Sequence, residues 1–170
     1  MGTIDARTNM ERLSRAECWK LLEQAPVGRL AVIVDGVPVV YPVNHMVEWD
    51  AIVIRSDPGS KLAGLTEGAP VSFEVDDLEP DGRRGWSVLV KGRARPMRDP
   101  AMVALAERRP PAIWTTNEKP HWIRIVPTQV TGRRIWRTAD DIAGRDRPGA
   151  VVLKPLVGPE WAEEGPTATP

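Results

Sequence analysis

Residues 27–56 read VGRLAVIVDGVPVVYPVNHMVEWDAIVIRS, and the punctuation of this stretch decides the fold class. Val27 to Val34 is rich in β-branched residues, which suit a pleated, half-buried surface. Asp35-Gly36 follows, a strong two-residue hairpin signal because both central positions need positive φ. The return strand runs from about Val37 to Val47. Pro38 and Pro42 remove donors from its ladder, which predicts an edge or bulged strand. Glu48-Trp49-Asp50 then turns the chain into a third strand, Ala51–Ser56. Three strands in succession, joined by tight turns, announce an antiparallel meander.

Downstream the same rhythm continues. After IRSDPGSKL (residues 54–62) a short helix is expected from Ser60 to about Thr66. PVSFEVDD (70–77) alternates apolar and polar residues as a fourth strand, and Pro80-Asp81-Gly82 is a turn. GWSVLVKGRARPM (85–97) is a long fifth strand, and Gly92 inside it predicts a bulge or a close backbone approach. Asp99-Pro100 pairs an N-cap with an N1 proline and starts a helix to about Arg108. A Pro-containing loop over 109–119 leads to two last strands, His121–Val126 and Gln129–Trp136. Upstream, Ser14-Arg15-Ala16-Glu17 is a capping box. It opens a helix that should reach Gln24 before Pro26 stops it. Residues 1–12 read as a flexible N-terminus, 13–137 as the folded domain and 138–170 as a Pro/Gly-rich C-terminal tail. The absence of a βαβ rhythm predicts a mainly β fold with short helices, a six- to seven-stranded antiparallel barrel.

Composition bounds the function. The chain has 170 residues, enough for one domain that buries about 70% of its unfolded surface. With 23 acids and 23 bases it exerts no bulk electrostatic pull on nucleic acid or anionic membrane. Cys18 is the only cysteine, which excludes an internal disulfide and fits a reducing compartment. No apolar run reaches the roughly 18 residues of a membrane span. MGTIDARTNMERL has no apolar core and is not a signal peptide. The expected address is the cytoplasm. Neither His45 nor His121 sits in a ligand-spaced motif, so no metal site is expected. No G-x-S-x-G elbow, Walker loop or G-x-G-x-x-G is present. Cys18 reads as a core thiol.

IRSDPGSKL is the candidate anion site. Arg55 can fork onto a phosphate, Ser56 and Ser60 offer hydroxyls, and Ser60 is placed to cap a helix whose amides point the same way. Lys61 adds a point charge. The alternative is a solvated turn in which Arg55 pairs with Asp57, and local chemistry leaves the two evenly matched.

The order of these strings resembles the pyridoxamine 5′-phosphate oxidase superfamily of FMN-binding split β-barrels, from about Leu13 to Arg134. The likeness rests on GRLAVIVDGVPVVYPVNHMVEWDAIVIRSDPGSKL, on PVSFEVDD followed by GWSVLVKGRA, and on HWIRIVPTQVTGRRI. It implies that Arg55, Ser56, Ser60 and Lys61 hold the cofactor phosphate. It places the flavin ring on Pro42, Val43 and Asn44, with Ser87 beside Trp86 reaching it from the fifth strand. It also implies a homodimer in which Arg133 comes from the partner subunit. The implied function is a flavin-binding oxidoreductase passing hydride or electrons through FMN to a small molecule. Lys61-Leu62 stands where the oxidases carry Arg-Lys, Ser87 replaces their Gln, and RTADDIAG follows Trp136 instead of R-L-H-D-R. These departures point away from pyridoxamine phosphate oxidation itself. A reductase using the deazaflavin F420 is the alternative, to which an Arg-, Ala-, Gly- and Pro-rich composition adds weight. A non-catalytic flavin or haem binder is the other, with His45 as the axial ligand. Of the seven Trp, Trp86 and Trp114 are the candidate walls of a substrate pocket, and the rest read as core or interface.

Overall fold

The computed structural model describes residues 4–5, 10–57, 65–79, 83–111 and 120–136. The elements in chain order are β1 (Ile4–Asp5), β2 (Met10–Arg12), α1 (Arg15–Gln24), β3 (Val27–Val34), β4 (Val37–Glu48) and β5 (Ala51–Ser56). They continue with β6 (Pro70–Leu78), β7 (Arg84–Pro96), α2 (Pro100–Glu107) and β8 (His121–Trp136).

All strand pairs are antiparallel. The order is β1-β2-β8-β5-β4-β3-β6-β7, and β8 also pairs with β7. Six strands, β8-β5-β4-β3-β6-β7, therefore close into a ring, with β2 laid on β8 outside it as a seventh. The split comes from β8, which is long enough to serve two neighbours on one edge. Its His121–Ile125 half pairs with β5, and Arg133–Ile135 pairs with β2. Closure is what this sequence needs, because a ring leaves fewer open edges than a flat sheet.

Alternation decides which side chains fill the barrel. Leu30 and Val32 of β3, Val71, Phe73 and Val75 of β6, and Val88, Val90 and Ala94 of β7 all point inward and are buried. Neighbours on the same strands point out. β5 departs from alternation because both its faces are covered. Ile52 and Ile54 enter the main core, while Val53 packs outside against Ala106 of α2 and Trp122. Helix α1 adds Cys18 and Leu22 to the main core. Its capping box is formed: Glu17 N–H donates to Ser14 Oγ at 3.3 Å and Ser14 N–H to Glu17 Oε2 at 2.8 Å. Gly132 of β8 lets this helix approach, since a Cβ there would meet Cys18 Sγ at 2.6 Å.

Both turns of the opening meander follow their chemistry. Asp35 and Gly36 have φ of 50° and 79°, as a two-residue hairpin turn demands. Trp49 and Asp50 both adopt φ of 53°, a costly conformation for a bulky residue. The Trp49 carbonyl accepts from Arg124 Nη2 at 2.9 Å, which pins that turn to β8.

Three expectations are corrected. Met10–Arg12, assigned to a flexible N-terminus, form a strand in register with Arg133–Ile135. The strand with two prolines lies within the ring, between β3 and β5. It pairs with β5 only over His45–Glu48, so Pro38 and Pro42 fall in its one-sided part, where a missing donor is tolerated. His121–Val126 and Gln129–Trp136 are one strand. The separation expected at Pro127-Thr128 is a bulge: Lys91 pairs with Gln129 and Gly92 with Pro127, leaving Thr128 over. Thr128 Oγ1 donates to the Lys91 carbonyl at 3.1 Å. Gly92 makes the close approach that its position predicted, for a Cβ would stand 2.5 Å from the Val126 carbonyl oxygen. The helix expected from Ser60 lies mostly outside the described residues, and Leu65 and Thr66 at its end are not helical. Residues 138–170, expected as a tail, also lie outside them.

Candidate functional site

The candidate residues fall into two groups at opposite ends of β8. The first is on the outer face of β4, β5 and β8. Arg55 pairs with Trp122 across β5 and β8 and shares its face, so the guanidinium carbon sits 5.0 Å from the indole centroid. This cation–π contact orients the fork and covers an otherwise buried Trp. One step beyond the last β4–β5 pair, His45–Ile54, Asn44 alternates onto the same outward face. Its amide donates to the Pro26 carbonyl at 3.1 Å, leaving the amide oxygen to accept elsewhere. Pro42 is exposed two residues away on the same face.

Alternation sends two of the nominated residues the other way. Val43 points into the core. Ser56 is fully buried, and its hydroxyl donates to the Asp57 carbonyl at 3.1 Å. The structure does not bring either to the face that carries Arg55. Ser60 and Lys61 lie outside the described residues, as does Trp114.

The second group is on the outer face of β6, β7 and β8. Arg133 Nε donates to Ser87 Oγ at 3.3 Å across a register pair. Trp86, next to Ser87, turns inward and packs against the main core. A cleft of about 560 Å³ opens here, walled by Ser87, Leu89, Thr131 and Arg133 and closed at one side by Met10 and Arg12 of β2. Glu74 lines it too. Burial and the neighbouring Asp76 carboxylate push the Glu74 carboxyl above its usual value. Arg29 bridges the two acids, at 3.2 Å from Glu74. This trio was missed from the sequence, although PVSFEVDD carried the signal: period two places Ser72, Glu74 and Asp76 on one outward face.

His45 is inside the barrel. Its Nε2 lies 2.8 Å from the Leu22 carbonyl, and its ring meets Phe73 edge-on with centroids 4.8 Å apart. Nε2 is therefore the protonated nitrogen, and Nδ1 is buried with no partner among the described residues. Burial holds the ring's pKa below its ordinary value, so it stays neutral. A haem would have to displace Leu22 to reach Nε2, and the geometry argues against His45 as an axial ligand. Among the described residues no three His, Cys, Asp or Glu gather as a metal site. No helix among them is long and apolar enough to cross a membrane.

A six-stranded antiparallel split barrel with Arg55 near the end of its third ring strand defines the class. The chain belongs to the pyridoxamine 5′-phosphate oxidase family, whose sequence profile matches residues 14–134. It is similar to the FAD-binding protein of Mycobacterium smegmatis, 38% identical with a TM-score of 0.63 over 74% of this chain and 98% of that one. An FAD-binding protein of Mesorhizobium loti is 30% identical with a TM-score of 0.57, over 74% and 96% of the two chains. An uncharacterised protein of Mycobacterium tuberculosis is 34% identical over 72% of this chain and 84% of its own length.

Proposed function

We propose that the protein binds a flavin nucleotide between two copies of its chain and serves as an oxidoreductase for a small molecule. The observation that carries the reading is the Arg55–Trp122 pair, with Asn44 on the same outward face. A planar fork of donors is held on a strand by the indole beneath it, as phosphate recognition requires. Lys61, six residues on, would add a second positive charge. Asn44 and Pro42, on the same outward face, would orient the ring. The flavin supplies the redox chemistry, and this chain supplies position and electrostatics.

Distance supports a dimer. Arg133 is eleven residues along β8 from Trp122, the partner of Arg55. That is about 35 Å of extended strand, further than a flavin mononucleotide reaches. If Arg55 and Arg133 serve one cofactor, they come from different subunits. The similarity to two FAD-binding proteins supports a flavin, whether as FMN or as its adenylated form. No observation favours F420 beyond composition, and the engagement of His45 weighs against haem.

The visible absorption spectrum, with mass spectrometry of the released cofactor, tests the reading. A flavin band is expected, and a Soret band or a deazaflavin mass would refute it. Reduction by NAD(P)H then separates an enzyme from a carrier. Arg55→Ala combined with Lys61→Ala removes two charge-assisted contacts of about 1.5–3 kcal/mol each. The variant should lose its cofactor and keep its circular dichroism. Full occupancy in that variant would show that the phosphate lies elsewhere.

A further inference from the structure

We propose that the cleft between α2 and the start of β8 receives the adenylyl half of a flavin dinucleotide. This rests on the flavin reading above and narrows it to FAD. The cleft holds about 460 Å³, within the roughly 300–1,000 Å³ of small-molecule sites. It lies outside the barrel, and no residue named above for the phosphate or the ring needs it, except one.

That one is Trp122. It lines the cleft, and it also lies under the Arg55 guanidinium. A phosphate held by Arg55 is therefore one indole away from the cleft. FMN ends at its phosphate and leaves the cleft to water. FAD continues through a second phosphate, a ribose and an adenine.

The lining matches that continuation. Pro96, Met97 and Val103 make an apolar wall suited to a flat base. Glu67 offers carboxylate oxygens, which can accept from ribose hydroxyls as acidic side chains do in dinucleotide sites. Arg98 offers a cation for the second phosphate. Its contact with Glu67 is long, 4.0 Å, and its side chain is 77% exposed. Such an exposed pair contributes little, so Arg98 can turn to an anion at small cost. An acid, a base and an apolar wall around one cleft are the groups that ribose, phosphate and adenine call for.

The test measures dissociation constants of FAD and FMN for the apoprotein. The wild type should hold FAD about tenfold or more tighter than FMN, the effect of one or two added hydrogen bonds. Thr66→Trp, at an exposed position on the cleft, should abolish that preference and leave FMN affinity unchanged. Should Thr66→Trp lose both flavins, Arg98→Ala decides by the same ratio. Equal affinity for FAD and FMN in the wild type, or an unchanged preference in Arg98→Ala, overturns the proposal while the flavin reading stands. Binding of neither flavin overturns both.

Discussion

Gly28→Ala should be among the most destabilising single-methyl changes this barrel can suffer. Gly28 sits in β3 opposite Val43 of β4, facing the core. A Cβ there would stand 2.0 Å from Phe73 Cζ, about 1.4 Å short of the 3.4 Å at which ordinary contact begins. Neither side can yield cheaply. β3 is held by a full ladder to β4 and a shorter one to β6. Phe73 is fully buried and abuts His45, which in turn is bonded to the Leu22 carbonyl of α1. Moving the ring therefore disturbs a strand, a buried histidine and a helix together. Overpacking of this kind costs typically 1–3 kcal/mol and sometimes more, and the lack of slack places Gly28→Ala at about 3 kcal/mol. For a chain of this size that lowers Tm by roughly 6–12 °C. Urea denaturation followed by circular dichroism measures it, with Phe73→Leu as the second arm of a cycle. The smaller side chain should relieve the clash, giving a favourable coupling of about 1 kcal/mol or more. A loss below about 1 kcal/mol for Gly28→Ala, or additive effects in the double variant, would refute this account of the core.

The remaining predictions concern the closing strand, the buried histidine, the helix cap and the shared site. Gly92→Ala should cost about 1–3 kcal/mol in denaturation, because its Cβ would press on a backbone oxygen at 2.5 Å, and no side chain can swing aside. His45 is neutral in the fold, with its pKa lowered by burial and only partly restored by the bond to Leu22. As pH falls, the unfolded chain takes up this proton first, near pH 6.5. The contribution of His45 is thus complete above that value and is lost as pH drops towards the lower folded pKa. Thermal melts across this window should slope less in His45→Gln than in the wild type, and equal slopes would contradict the assignment. Ser14→Ala should lose about 0.5–2 kcal/mol of stability through the capping box. Co-expressing Arg55→Ala with Arg133→Ala should yield mixed dimers with one intact flavin site each, measured by flavin-to-protein ratio. Recovery no better than either variant alone would place both arginines in separate sites.

Local chemistry was sufficient for most elements. Ser14 and Glu17 announced α1, Asp99-Pro100 announced α2, and Asp35-Gly36 the first hairpin, since each is a short-range hydrogen-bond or φ requirement written in adjacent residues. Ala51–Ser56 could be bounded to the residue because a turn precedes it and Asp57-Pro58 follows. Pro127-Thr128 misled for the same local reason: a proline within a run reads as a break. The ladder from β7 absorbs it as a bulge, and only the partner strand could say so. Met10–Arg12 carry no strong strand signal of their own. Their strand exists because β8 extends past the ring and offers an unpaired edge.

The site divides along the same line. From the sequence alone came the meander and the concentration of Arg55, Ser56, Ser60 and Lys61 after its third strand. The resemblance then added a phosphate as their target. What those residues face was decided by tertiary structure. Closure of the ring fixes the two faces of β5, so Arg55 emerges on the outside while Ser56 is sealed within. Trp122, the residue that holds Arg55 in place, lies 67 positions along the chain and meets it only through the β5–β8 register. Periodicity tells which residues share a face of one strand, but which strand lies alongside is settled by the burial of the whole core.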